Sequence, residues 1–328
     1  MPAAIALLLG LAILVGGAEL MVHFGTLLAR RLRISPIIIG LTIVSIGTSA
    51  PELAIGIDGI RRGTGSLVLG NILGTNVVNL MLILGLSAAI RSLVIRQRTL
   101  TLDLPAMVVS AVVLFVLASD GLLSRIDGAI LLALALVYLA VTFFTTKRRT
   151  FAASEVSDDD DGPPPERTGR LIARDLVLLL VGIVVIVWGA DLLLNGAVAV
   201  AEYFGISEAI VGLTIVAIGT SAPELATTLS ATLHGKRSIA IGNLIGSSTL
   251  NLTFVLGTSL LVGAGADAVA VERSLLTVNL PIMVGVSLLC VPIFWSGRRV
   301  SRVEGALMVC GYAVYLGFLI IWTGLGNN

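Results

Sequence analysis

The sequence predicts an all-α polytopic membrane protein of ten transmembrane helices, built as two inverted five-helix repeats. Three observations carry that expectation. The 328 residues are 56% hydrophobic and only 12% charged, with mean hydropathy +1.04, whereas soluble domains run at about 25% charged. Apolar runs of about 20 residues, the length that crosses a bilayer, recur ten times. An offset of 172 residues lays the first half on the second: ISPIIIGLTIVSIGTSAPELA (34–54) falls on ISEAIVGLTIVAIGTSAPELA (206–226), with 17 of 21 positions identical.

The spans cover roughly 3–22, 35–60, 65–90, 103–119, 126–145, 174–198, 207–233, 238–262, 274–296 and 302–323. No basic segment precedes the first, which therefore reads as a retained helix and not a cleaved signal. Residues 1–146 form the first repeat, 147–172 a linker and 173–328 the second repeat. The linker contains SEVSDDDDGPPPERTGR, too polar and proline-rich to bury a core. Its run Asp158–Asp161 reads as solvated chain before it reads as a weak calcium site. Basic residues orient the bundle. With the N-terminus outside, 17 of the 21 Lys and Arg lie on inner loops; only Arg61, Arg62, Arg125 and Arg273 are outside. Both termini are then outside and the linker is cytoplasmic. Five spans per half is an odd number, so the second half enters from the opposite side. Secondary transporters commonly have this design, with the site at mid-depth.

The octapeptide GTSAPELA occurs at 47–54 and again at 219–226. Pro51 and Pro223 cannot donate to Gly47 and Gly219, so each helix opens there. Freed carbonyls at membrane depth need a cavity, water or an ion. Thr48 and Ser49 share a helix face with Glu52, and Thr220 and Ser221 share one with Glu224. The offset also aligns GNILGTNVVNL (70–80) with GNLIGSSTLNL (242–252). This gives each half a polar stripe, Asn71–Thr75–Asn79 and Asn243–Ser247–Asn251. The spacings Gly70/Gly74 and Gly242/Gly246 let a neighbouring helix come close enough for the stripe to face the glutamate.

A proline kink or a small-residue pair is usually structural. A carboxylate at the centre of a span, costing about 2.5–3.5 kcal/mol to insert, is a functional residue by default. All-oxygen donors suit a hard cation, Ca²⁺, Na⁺ or Mg²⁺. Two carboxylates balance one Ca²⁺ or two monovalent ions, as competition at one site requires. His23 and His234 lie at loop edges and no cysteine accompanies them, which disfavours zinc, copper and haem. Cys290 and Cys310 sit in apolar runs and read as buried structural thiols. No nucleophile–base set lies at membrane depth, so an intramembrane enzyme is not supported. A cation channel would not require an inverted repeat within one chain. No cofactor, nucleic acid or obligatory protein partner is implied; the expected partners are the ions and the bilayer.

The doubled GTSAPEL and GN-x-x-G-[TS]-x-x-x-N motifs resemble those of the cation/Ca²⁺ antiporter superfamily, especially prokaryotic Na⁺/Ca²⁺ exchangers, over nearly the whole chain. The resemblance implies an exchanger in a prokaryotic cytoplasmic membrane. It implies a core of helices two, three, seven and eight, past which helices one and six slide. It also implies a ligand set of Thr48, Ser49, Glu52 and the Ser45 carbonyl with Thr75 and Asn79, and of Thr220, Ser221, Glu224 and the Ala217 carbonyl with Ser247 and Asn251. Sodium-coupled members usually carry aspartate at one of the positions held here by Asn79 and Asn251. Asparagine in both halves is similar to H⁺/Ca²⁺ exchangers, whose first motif differs from GTSAPE, so Na⁺ coupling is the preferred expectation. Transport of another divalent ion on the same fold is a further alternative. Glu19 and Asp191, related by the offset, are candidates for lining or gating the ion pathway.

Overall fold

The computed structural model describes residues 3–149, 166–203, 217–263 and 268–326. Its helices are α1 (Ala3–Leu32), α2 (Pro36–Thr48 and Ala50–Arg61), α3 (Gly65–Ile90), α4 (Thr99–Asp120) and α5 (Arg125–Arg149). They continue with α6 (Gly169–Tyr203), α7 (Ala217–Thr220 and Ala222–Leu233), α8 (Arg237–Gly263), α9 (Leu275–Arg298) and α10 (Arg302–Gly326). Among the described residues eight helices are long and apolar enough to cross a bilayer, and α2 makes a ninth if its two parts, bent by 43°, count as one. The protein is a multi-pass membrane protein. Of the expected seventh span, 207–233, residues 207–216 lie outside the described set.

Several boundaries differ from those expected. Helix α1 continues ten residues beyond its apolar run, to Leu32, with Arg30 and Arg31 in its last turn. Cationic side chains there complement the helix dipole. Helix α5 continues to Arg149 and α6 begins at Gly169, so the linker is helical at both margins. Asp158–Asp161 lie outside the described residues. Cys290 is buried as expected, but Cys310 is exposed. The reason is that α10 packs one face on α3 and turns the other outward.

Pseudo-symmetry is written into the packing. Helices α1 and α6 lie against each other through four glycines. A Cβ on Gly17 would stand 2.8 Å from the Ile186 amide nitrogen, and one on Gly189 would stand 2.5 Å from that of Leu14. Gly10 meets Leu193 and Gly182 meets Met21 in the same way. Each contact maps onto another under the 172-residue offset. As the contact climbs α1 it descends α6, so the two helices run antiparallel. The same exchange recurs at the periphery: Gly85 of α3 abuts Gly305 of α10, and Gly257 of α8 abuts Gly128 of α5. Helix α10 thus packs on α3, and α5 on α8.

Two short antiparallel strand pairs tie the halves together: β1 (Leu93–Val94) with β4 (Arg299–Val300), and β2 (Leu122–Leu123) with β3 (Val269–Ala270). The main apolar core lies among α3, α4, α8 and α9, and a second core lies between α1 and α6. Helix α8 is the most enclosed span.

Candidate cation-binding site

The site is built at the two helix breaks. In α2 the backbone leaves helical geometry at Ser49 (φ −85°, ψ 7°), and in α7 it does so at Ser221 (φ −86°, ψ 6°). Pro51 and Pro223 fall in the first turn of the helix that follows, where their missing N–H costs nothing. The break therefore lies two residues before the proline, and the glutamate after it sits in the first turn, at the positive end of a helix dipole. The sequence located the interruption but not this placement.

Both carboxylates are buried, Glu52 at 1% exposure and Glu224 at 0%. Neither oxygen of Glu52, nor Oε2 of Glu224, has a hydrogen-bond partner among the described residues. Glu224 Oε1 accepts from Ser49 Oγ at 3.5 Å, which links the two GTSAPELA copies directly. Two buried carboxylates with unpartnered oxygens are costly unless a counter-charge compensates them.

The breaks are framed from the opposite half. Thr48 Oγ1 lies 3.3 Å from both Asn243 Oδ1 and Ser247 Oγ on α8. Asn243 Nδ2 in turn donates to Thr228 Oγ1 at 3.1 Å. Ser45 Oγ lies 2.6 Å from the Gly40 carbonyl and 3.1 Å from that of Asn243. The Ser45 carbonyl accepts the Ser49 amide at 3.1 Å and the Thr48 hydroxyl at 3.3 Å. This closeness depends on the α8 glycines, as the spacing suggested for Gly242/Gly246; the same spacing in α3 brings no helix as close, since a Cβ on Gly74 would meet nothing within 4 Å and one on Gly70 only the Leu275 side chain at 3.5 Å. A Cβ on Gly242 would stand 2.6 Å from the Ile37 carbonyl, and one on Gly246 would collide with Ser45 Oγ.

Thr75, Asn79, Ser247 and Asn251 are all buried, as are Ser221 and Thr220. Both Asn79 and Asn251 lie in π-helical segments, Val78–Ile83 and Asn251–Val255. Such bulges widen a helix and are frequent at functional sites; nothing in residue spacing announced them. The side chains of Asn79 and Asn251, and the Thr75 hydroxyl, have no hydrogen-bond partner among the described residues. Helix α7 packs on the segment bearing Asn79, and α2 on the segment bearing Asn251. Ala217 opens α7, and the residues before it lie outside the described set.

The two halves are not identical. Asn243 is fully buried, but Asn71 is only half-buried. The offset partner of Thr228 is Gly56, which has no side chain to hold Asn71. Among the buried polar groups that the sequence did not single out are Asn76, which donates to the Ile72 carbonyl at 2.8 Å, and Ser248. They are related by the same offset, which was the signal that could have revealed them. Glu19 and Asp191 are not in the site. Glu19 is half-exposed and touches Ser230 and His234 near the end of α7, and Asp191 is exposed.

No group of three or more His, Cys, Asp or Glu that would suit a bound transition metal occurs among the described residues. The donors are carboxylate, hydroxyl and amide oxygens, which match a hard cation.

Comparison with known proteins gives a consistent result. The chain is 34% identical to inner membrane protein YrbG of Escherichia coli (strain K12), over 95% of each chain. It is 32% identical to putative antiporter CaxA of Alkalimonas amylolytica, covering 95% of this chain and 97% of that one. It is also 32% identical to sodium/calcium exchanger MaX1 of Methanosarcina acetivorans, covering 94% and 96%. Among solved structures, the sodium-calcium exchanger NCX_Mj soaked with zero Na⁺ and Ca²⁺ superimposes with TM-score 0.81 at 27% identity, covering 97% of this chain and 98% of that chain. The profile of the family described as sodium/calcium exchanger protein matches residues 2–144 and 175–321. With both halves matched, the chain belongs to the sodium/calcium exchanger protein family.

Proposed function

We propose that this protein is a secondary antiporter that exchanges Ca²⁺ for Na⁺ at a single mid-depth site. The observation that carries the reading is the pair of buried carboxylates, Glu52 and Glu224, one from each GTSAPELA copy, with three of their four oxygens unpartnered among the described residues. The ligands are Thr48, Ser49, Glu52, Thr75 and Asn79 from the first half. Thr220, Ser221, Glu224, Ser247 and Asn251 supply the second half. The Ser45 and Ala217 carbonyls join when the helix breaks adjust. One Ca²⁺ or a set of Na⁺ ions neutralises the two glutamates, and the loaded site can then close. An empty site leaves bare carboxylates in a low dielectric, which blocks the return step and enforces exchange.

The architecture we infer is ten spans in two inverted repeats of five. The symmetric glycine contacts between α1 and α6 support it. So does parity. Strand β1 pairs with β4 across six intervening helices among the described residues, and β2 with β3 across four. With the long apolar helices in each interval crossing, a crossing by α7 makes the number even and lets each pair meet on one face. The basic-residue bias puts both termini outside and residues 147–172 in the cytoplasm.

The test is ⁴⁵Ca²⁺ uptake into Na⁺-loaded proteoliposomes diluted into Na⁺-free buffer. Uptake that depends on internal Na⁺ is expected. Uptake without any trans cation would indicate a channel, and uptake driven only by a pH gradient would indicate proton coupling; either overturns the reading. In the same assay Asn243→Ala is expected to raise the half-saturating Ca²⁺ concentration about tenfold, because a buried hydrogen-bonded bridge to Thr48 is worth ~1.4 kcal/mol. Asn71→Ala, at a half-buried position, is expected to change it by no more than about twofold.

A further inference from the structure

The ends of the molecule are asymmetric where the repeat would make them equal. At the end carrying the α7–α8 turn, Glu19 of α1 accepts from Ser230 Oγ at 3.0 Å and lies 3.3 Å from His234 Nε2. Beside this contact Val22 of α1 packs with Ala231, Ile239 and Ala240. The offset maps Glu19 to Asp191, Ser230 to Asp58, His234 to Arg62 and Ile239 to Leu67. None of the corresponding contacts is made among the described residues. Arg62 is turned onto Asp58 at 2.8 Å, both exposed. Leu67 is 73% exposed, while Ile239 is 0% exposed. One end of the α1–α6 pair is docked and the other is not.

We propose that Glu19, Ser230 and His234 form a latch holding α1 on α7 in this state. Asp191 and Arg62 form its counterpart at the opposite end, and the two close in alternation during exchange. This rests on the antiporter reading above. In the orientation given there, the closed latch is at the cytoplasmic end. When α6 docks on α2, Arg62 bridges Asp58 and Asp191. The imidazole makes the closed latch sensitive to charge. His234 Nδ1 lies 2.9 Å from the Ser230 carbonyl and Nε2 faces the Glu19 carboxylate, so both ring nitrogens face acceptors. Only the doubly protonated ring donates to both. The other charged or titratable groups nearby are His23 on α1, Lys236 and Arg237 in the turn into α8, and Arg91, whose guanidinium lies against Gly235.

The test reads the far end. Asp191→Cys and Arg62→Cys, with Cys290 and Cys310 replaced by alanine, report outer closure through the rate of linking by a short bis-methanethiosulfonate reagent. Linking is expected to be several-fold slower with Glu19 and His234 intact than in E19Q or H234Q. In H234K, which keeps a cation facing Glu19, linking stays slow. All comparisons are made between proteins at one pH, so thiol reactivity cancels, and monodisperse elution of each variant shows that it is folded. Equal rates in the intact protein, E19Q and H234Q would overturn the latch. ⁴⁵Ca²⁺ uptake into proteoliposomes of the wild-type protein separates the two ideas: uptake there without Na⁺ dependence would sink the antiporter reading and leave the cross-linking comparison standing.

Discussion

Glu52→Gln and Glu224→Gln are each expected to abolish Na⁺-dependent Ca²⁺ exchange, a loss of at least about 100-fold, or ~2.7 kcal/mol. Both side chains are buried, and three of their four oxygens find no donor among the described residues. Glutamine keeps the shape of the side chain and removes its charge. The site would then offer one negative charge to a divalent ion, and each amide would turn a donor toward the cation. Na⁺ would lose the same charge, so Ca²⁺/Ca²⁺ exchange should fail together with Na⁺/Ca²⁺ exchange. Fold stability should not fall, because removing an uncompensated buried charge relieves a cost of burial. Exchange at the wild-type rate in either variant would remove that glutamate from the ion site.

Gly17→Val is expected to lower the thermal stability of the detergent-purified protein, while Gly16→Ala leaves it unchanged. The two positions are adjacent on α1, about 100° apart around the helix, and only Gly17 faces α6. A Cβ on Gly17 would stand 2.8 Å from the Ile186 amide nitrogen and 2.9 Å from its Cγ1; a Cβ on Gly16 would meet nothing within 4 Å. Backbone cannot move aside as a side-chain tip can, so α1 and α6 must separate. Overpacking of this kind costs about 1–3 kcal/mol. A surface substitution costs within about 0.5 kcal/mol. Gly189→Val, at the symmetric contact with Leu14, should match Gly17→Val. If Gly17→Val melts with the wild type, α1 and α6 do not pack through these glycines.

The repeat was legible because the same chemistry was needed twice. A proline, a glutamate and a stripe of amides are expensive in a bilayer, so their recurrence at one offset marked both helix breaks and the buried polar residues around them. The glycine pairs of α8 were legible for a related reason: close helix approach demands residues without side chains at fixed spacing. Helix ends were less so. Hydropathy reports where apolar residues stop, but α1 runs on into basic residues that favour a helix C-terminus, and α5 continues to Arg149.

Sequence alone determined the membrane class and the two motif copies, and it proposed an all-oxygen donor set, because residue type and spacing fix insertion cost and ligand hardness. Tertiary structure decided what depends on neighbours distant in the chain. It placed the helix breaks at Ser49 and Ser221 and put Asn79 and Asn251 in π-helical segments. It also tied Asn243 to Thr48 and Thr228 while leaving its offset partner Asn71 half-buried. Glu19 and Asp191 look equivalent in the sequence, yet one is engaged and the other exposed. A duplicated sequence cannot encode that difference locally; in this structure α1 docks on the end of α7, and the corresponding contact of Asp191 with Asp58 and Arg62 is not made among the described residues.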